Sequence, residues 1–132
     1  MTRSSSLLDE PRSWESLREI DSACVPGVRY RVRRMTFGRR LELARRIREL
    51  DRKLEYLQAG EDVRSRVDAA IVSSEIDRIY LEWGLEGISG LTIDGTPATP
   101  DAVIEHGPEA LAREILEAIR RECFLSEEER KN

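Results

Sequence analysis

The side chains most able to do chemistry are the arginines between Arg29 and Lys53. That stretch holds eleven Lys or Arg against three Asp or Glu, about +8, while the rest of the chain carries about −12. Guanidinium forks neutralise phosphates or carboxylates, so the segment suits a nucleic acid, an acidic protein partner, or the chain's own acidic remainder. The overall charge of −4, a pI near 5.2 and the lack of an aromatic platform on the basic strand argue against nucleic acid. No helix-turn-helix pattern is apparent either.

Catalysis has little to draw on. His106 is the single histidine and stands before Gly107-Pro108, where a helix ends; a cation there meets a helix C-terminus. A zinc site needs several Cys or His ligands at set spacing, and one histidine cannot supply it. Cys24 and Cys123 form no CxxC pair, and Cys24 has no base near it in sequence. Most carboxylates stand three or four residues from an arginine, as Glu42 does from Arg45 and Arg46, and Glu117 from Arg120 and Arg121. Surface pairing accounts for that spacing better than acid–base work. The glycines around Leu85 and Gly95 make neither a dinucleotide fingerprint nor a phosphate loop. The residues therefore point to a binding protein, not an enzyme, with no cofactor and no metal.

Length and composition set the frame for those arginines. The 132 residues are enough for one domain with a real core. A hydrophobic share of 39% against a charged share of 36% fits a thin helical body with wide solvated faces. No run approaches the ~20 apolar residues of a membrane span. The start of the chain has no apolar signal region, and two cysteines read as reduced thiols. A cytoplasmic location is the expectation.

The expected fold class is mainly α: an antiparallel helical domain with an N-terminal basic strand and a small β-hairpin. Residues 1–27 read as an arm, polar and mobile over 1–12. Ser13 then caps a possible short helix in which Trp14, Leu17 and Ile20 share one face. Such a stripe docks on its own domain or on a second copy, so self-association through Trp14, Leu17 and Ile20 is one expectation. Residues 28–132 read as a single mostly helical domain. Val28, Tyr30 and Val32 alternate with Arg29, Arg31 and Arg33, the period of a strand with one dry face. Thr36 caps a long helix over 37–59, with Gly60 as its C′ residue. Leu43, Ile47, Leu50, Leu54 and Leu57 form its inward stripe. Asp62 caps a second helix over 63–83 with two apolar rows: Val63, Val67, Ala70, Ile71 and Ser74, and opposite them Val72, Ile76, Ile79 and Trp83. Two rows predict contact on two sides and a central place. Asp94-Gly95 predicts a tight hairpin between 91–93 and 96–98. Thr99-Pro100 starts a short helix that Gly107 ends. Pro108 opens another through about Cys123, with Leu111, Ile115, Ala118, Ile119 and Cys123 inside, and Ser126 with Glu129 suggests a capping box for a last turn.

Four stretches carry a resemblance: RRMTFGRRLELARRIREL (33–50), SSEIDRIYLEWGLEGISGLTIDGTPATP (73–100), EALAREILEAIRREC (109–123) and LSEEERKN (125–132). Together they resemble the tail assembly chaperones of tailed bacteriophages and prophages, over about residues 28–132. The resemblance implies a mainly helical, non-enzymatic protein in the cytoplasm of a bacterial host. Its implied partners are the tape measure protein and tail tube subunits. Many such chaperones also have a frameshifted longer form. The binding surface expected on this basis joins a rim of Arg39, Arg40, Arg45, Arg46 and Arg52 to an apolar patch of Trp83, Leu85, Ile88 and Leu91. The alternatives are a structural tail or head–tail component of the virion, and a nucleic-acid-binding regulator.

Overall fold

The computed structural model describes residues 10–131. The order is β1 (Leu17–Asp21), β2 (Arg29–Arg33), α1 (Phe37–Gln58), α2 (Val63–Gly84), β3 (Leu85–Ser89), β4 (Thr92–Ile93), β5 (Thr96–Pro97), α3 (Pro100–His106) and α4 (Glu109–Lys131). Helix dominates, as expected, but the β part is larger. β1, β2 and β3 make an antiparallel sheet with β2 in the centre, and β4–β5 form a separate two-stranded hairpin.

The alternation through β2 is obeyed. Val28, Tyr30 and Val32 are at most 2% exposed, while Arg29 and Arg31 face solvent. Burying three apolar side chains on one face holds the strand against α4 and α2. Across the sheet Ile20, Tyr30 and Ile88 lie in one row.

Two expectations for the N-terminal arm are corrected. Residues 17–21 form a strand, not the helix that the spacing of Trp14, Leu17 and Ile20 suggests. Five residues cannot support an isolated helix, whereas the free edge of β2 offers them a full backbone ladder. The register also places Glu19 and Asp21 opposite Arg31 and Arg29, favourable cross-strand pairs. Ser13 caps nothing, since residues 11–15 are irregular. The arm docks on its own domain: Ile20 packs against the core, and Trp14 stacks on Arg34 at 4.2 Å. Most of the stretch expected to be mobile, residues 1–9, lies outside the described residues.

The helix boundaries follow their caps. Thr36 accepts the Arg39 N–H (3.2 Å), Asp62 that of Ser65 (3.3 Å) and Thr99 that of Ala102 (3.2 Å). Ala59 closes α1, which leaves Gly60 at C′. Asp94 and Gly95 both take positive φ, 51° and 83°, which is the two-residue hairpin turn their types predict. α4 runs on past Cys123 to Lys131. Its backbone stays helical through Ser126, so no new cap begins there; the Glu/Arg-rich end simply continues a good helix former.

α2 is central, touching α1, α3, α4, β2 and β3, but only one of its two apolar rows makes those contacts. The row of Val72, Ile76 and Trp83 is buried. The opposite row is open: Val63 is 72% exposed, Val67 53% and Ile71 55%. The α1–α2 pair packs on itself, and only the C-terminal part of α2 enters the main core, with β2, β3 and α4. Entry there is direct. At Gly84 a β-carbon would lie 2.7 Å from Ile119, so only glycine lets α4 cross at that depth. The chain passes from helix into β3 with no loop.

Candidate functional site, an apolar groove with an arginine rim

α1 packs chiefly on α2, and α4 packs on α2 and β2. Between α1 and α4 this leaves a groove of about 980 Å³. Met35, Leu43 and Ile47 line it together with Ala44, Tyr80, Cys123 and Phe124. Its charged edge is made by Arg40 from α1 and by Glu117, Arg120 and Arg121 from α4. Of these, Arg121 has no ion-pair partner among the described residues and is the cation this edge offers. One wall is fixed: Arg120 lies over the Tyr80 ring at 4.8 Å and pairs with Asp77 of α2. Phe124 is 64% exposed and stands open at the other edge. An open apolar channel with a charged rim is suited to one face of an amphipathic helix.

The expected binding residues divide. Of the nine, the groove gathers Arg40 alone. Trp83 and Leu85 are 2% and 4% exposed and belong to the core, so they cannot meet a partner; this part of the expected patch is corrected. A Trp beside glycines looks like a loop platform in sequence, whereas here it ends a helix beneath the sheet. Ile88 and Leu91 are half-buried and pack against the same core. Arg39 is half-buried near the start of α1, and Arg45 and Arg52 are exposed along it. Arg46 reaches Glu82 of α2 at 3.8 Å and Arg52 reaches Glu49 at 4.0 Å. The residues that the sequence pattern does not reveal, Tyr80, Arg120, Arg121 and Phe124, come from two other helices. Their one local signal is Phe124, an apolar side chain beyond the predicted end of α4.

Two of the three arginines of β2, Arg29 and Arg33, are neutralised from within. Arg29 pairs with Asp21 (2.8 Å) and Glu19 (3.7 Å), Arg33 with Glu86 (2.6 Å), and Arg18 and Arg34 both reach Glu122 (2.7 and 3.8 Å). The acidic remainder of the chain therefore occupies many of the arginines that a phosphate backbone would need.

One further cluster is invisible in the sequence. The Glu114 carboxylate of α4 accepts from Ser22 Oγ (3.0 Å), Cys24 N–H (3.0 Å), Ala23 N–H (3.2 Å) and Tyr30 Oη (2.7 Å). Burial pushes its pKa up, but these donors outweigh burial and hold it at about 2. Tyr30 is shifted the other way, first by burial and then by its hydrogen bond to Glu114. The Cys24 thiol is also raised, mainly by its hydrogen bond to Glu114. A thiol beside a carboxylate is a poor nucleophile, and Glu114 has its acceptor sites filled. The cluster clamps the β1–β2 loop to α4.

His106 is exposed in the last turn of α3, the helix C-terminal position expected of it. Neither cysteine forms a disulfide. Among the described residues no cluster of His, Cys, Asp or Glu could hold a metal ion, and no helix is long and apolar enough to cross a membrane.

Fold and groove together describe an α+β domain with a helical hairpin and an open apolar channel. No protein-family model, curated protein or solved structure matches this chain.

Proposed function

We propose that the protein is a binding module that shelters an apolar helical face of a partner in the groove between α1 and α4. The observation that carries this reading is the channel itself, with its Met35, Leu43 and Ile47 floor and Arg121 at its rim. A long helical protein with bare apolar faces aggregates unless something covers them. The groove supplies the apolar cover, and Arg121 supplies steering toward carboxylates on the partner's flanks. Together with the resemblance to tail assembly chaperones, this makes the tape measure protein of a tailed phage the partner. Tail tube subunits are the second contact, in the cytoplasm of the bacterial host. No catalytic step and no cofactor enter.

The test is co-expression with the tape measure protein. The wild-type chain should hold it in the soluble fraction and co-purify with it. Ala44→Glu places a charge on an exposed groove position and should abolish both effects while leaving thermal stability unchanged. A tape measure protein equally insoluble with and without the chain would overturn the reading, as would full rescue by the Ala44→Glu variant.

A further inference from the structure

We propose that the chain self-associates through the bare face of α2, against a second copy of itself in antiparallel orientation. At 100° per residue, Val63, Val67, Ala70, Ile71 and Ser74 fall on the face opposite the seam that α2 turns to α1. Val63, Val67 and Ile71 are large and more than half exposed. These three stand at intervals of four residues, so the strip is continuous for about two turns. Single exposed apolar residues are ordinary, but a continuous strip marks a contact surface.

The charges beside the strip select the occupant. Arg64 and Glu75 flank it on the same side, eleven positions apart. Neither has an ion-pair partner within its own chain among the described residues. A parallel twofold copy would set this flank beside the opposite one, bringing Arg64 near Arg66 and Glu75 near Asp77 of the second copy, like charge against like. An antiparallel copy centred near Ala69–Ala70 sets Arg64 opposite Glu75 of the second copy, and the twofold axis repeats the pair. The same register brings Val67 opposite Ile71 of the second copy and places Ala70 near the axis. A small residue there lets the helices approach closely. Asp68 lies further round the flank, roughly 40° beyond Arg64 and 20° beyond Glu75, at the edge of the contact. One register thus satisfies the apolar strip and both charge pairs, as a twofold interface requires. The contact is short, about two turns per copy, so the dimer forms at high concentration and exchanges readily. Trp14, Leu17 and Ile20 take no part, since β1 is already in the sheet and Trp14 is stacked on Arg34. The α1–α4 groove lies on another side of α2, so this surface stands or falls independently of the groove.

Sedimentation and light scattering across a concentration series decide the matter, with the full chain. The wild type should move from 15.2 kDa toward twice that mass. Ile71→Asp should stay monomeric. Arg64→Glu and Glu75→Arg should each weaken association about tenfold, because each turns two attractive pairs repulsive. The double variant Arg64→Glu/Glu75→Arg should recover wild-type association. All these positions are exposed, and far-UV circular dichroism confirms that each variant is folded. A wild type monomeric throughout the series overturns the proposal, as does a double variant no better than the single ones.

Discussion

Replacing Glu114 by glutamine tests the clamp that ties the N-terminal loop to α4. The carboxylate takes four donors, at 2.7 to 3.2 Å, from Tyr30, Ser22, Cys24 and Ala23. Its pKa is about 2 in the fold, against 4.5 for an ordinary glutamate. At 1.36 kcal/mol per pH unit that depression corresponds to about 3 kcal/mol. Partial solvent access reduces this to about 2 kcal/mol. The sign follows from the direction. A depressed carboxylate stabilises the fold above its unfolded value, near pH 4.5, and the contribution is lost as pH falls toward about 2. A glutamine offers one acceptor where there were two and turns an NH2 toward N–H donors, so at pH 7 the variant should be less stable by about 2 kcal/mol. Urea unfolding from pH 7 down to pH 2.5 reads this as a gap that narrows between pH 4.5 and the lowest pH, with the m-value unchanged. Tyr30→Phe removes the shortest of the four bonds, and its effect should be largely contained within that of Glu114→Gln when the two are combined. An equal stability at pH 7, or a gap that stays constant to low pH, would refute the clamp.

Two core predictions follow from the α2–β3 junction. Trp83→Ala should cost about 3–5 kcal/mol in chemical unfolding. Trp83→Phe should cost much less, since the indole Nε1 is buried without a hydrogen-bond partner and its loss removes an unsatisfied donor. A Trp83→Ala variant of unchanged stability would place Trp83 at the surface instead of in the core. Gly84→Ala should lower stability by about 1–3 kcal/mol by pushing α4 away through Ile119. A neutral or stabilising effect in thermal melts would show that the helices do not meet at that depth.

Features encoded by short-range chemistry are legible in the sequence. The caps Thr36, Asp62 and Thr99, the Asp94-Gly95 turn and the dry face of β2 each depend on residues within a few positions of one another, and each is in place. Features set by distant pairing are not legible there. The 17–21 stretch contains residues that suit a helix about as well as a strand, and only the open edge of β2 decides between them. β3 escapes sequence pattern for the same reason: LEGIS carries a glycine and little alternation, yet Tyr30 and Val32 give it partners. The groove draws on three helices, and its walls join residues as far apart in the chain as Leu43 and Phe124, which no local period reveals. Pattern alone does not tell the Trp83 row of α2 from the opposite row; burial separates them.

The charge asymmetry of the chain is partly resolved inside the fold, and that narrows what the protein can bind. The +8 stretch and the −12 remainder meet there. Arg29, Arg33 and Arg34 are paired across the sheet or to α4, and Arg46 is paired to α2. Cations held this way release few counterions on meeting a polyanion, because their carboxylates must first be displaced. Arg31, Arg39, Arg45, Arg48 and Lys53 of the basic stretch have no ion-pair partner among the described residues, nor does Arg121 at the groove. On β2 and α1 these cations are interleaved with paired ones, which interrupts the continuous track that a nucleic-acid backbone needs. Arg121 instead borders the apolar channel, where a guanidinium favours a carboxylate on a partner whose neighbouring residues are buried at the same time. A segment that is basic in sequence thus spends part of its charge inside the fold, and the groove it borders is mainly apolar.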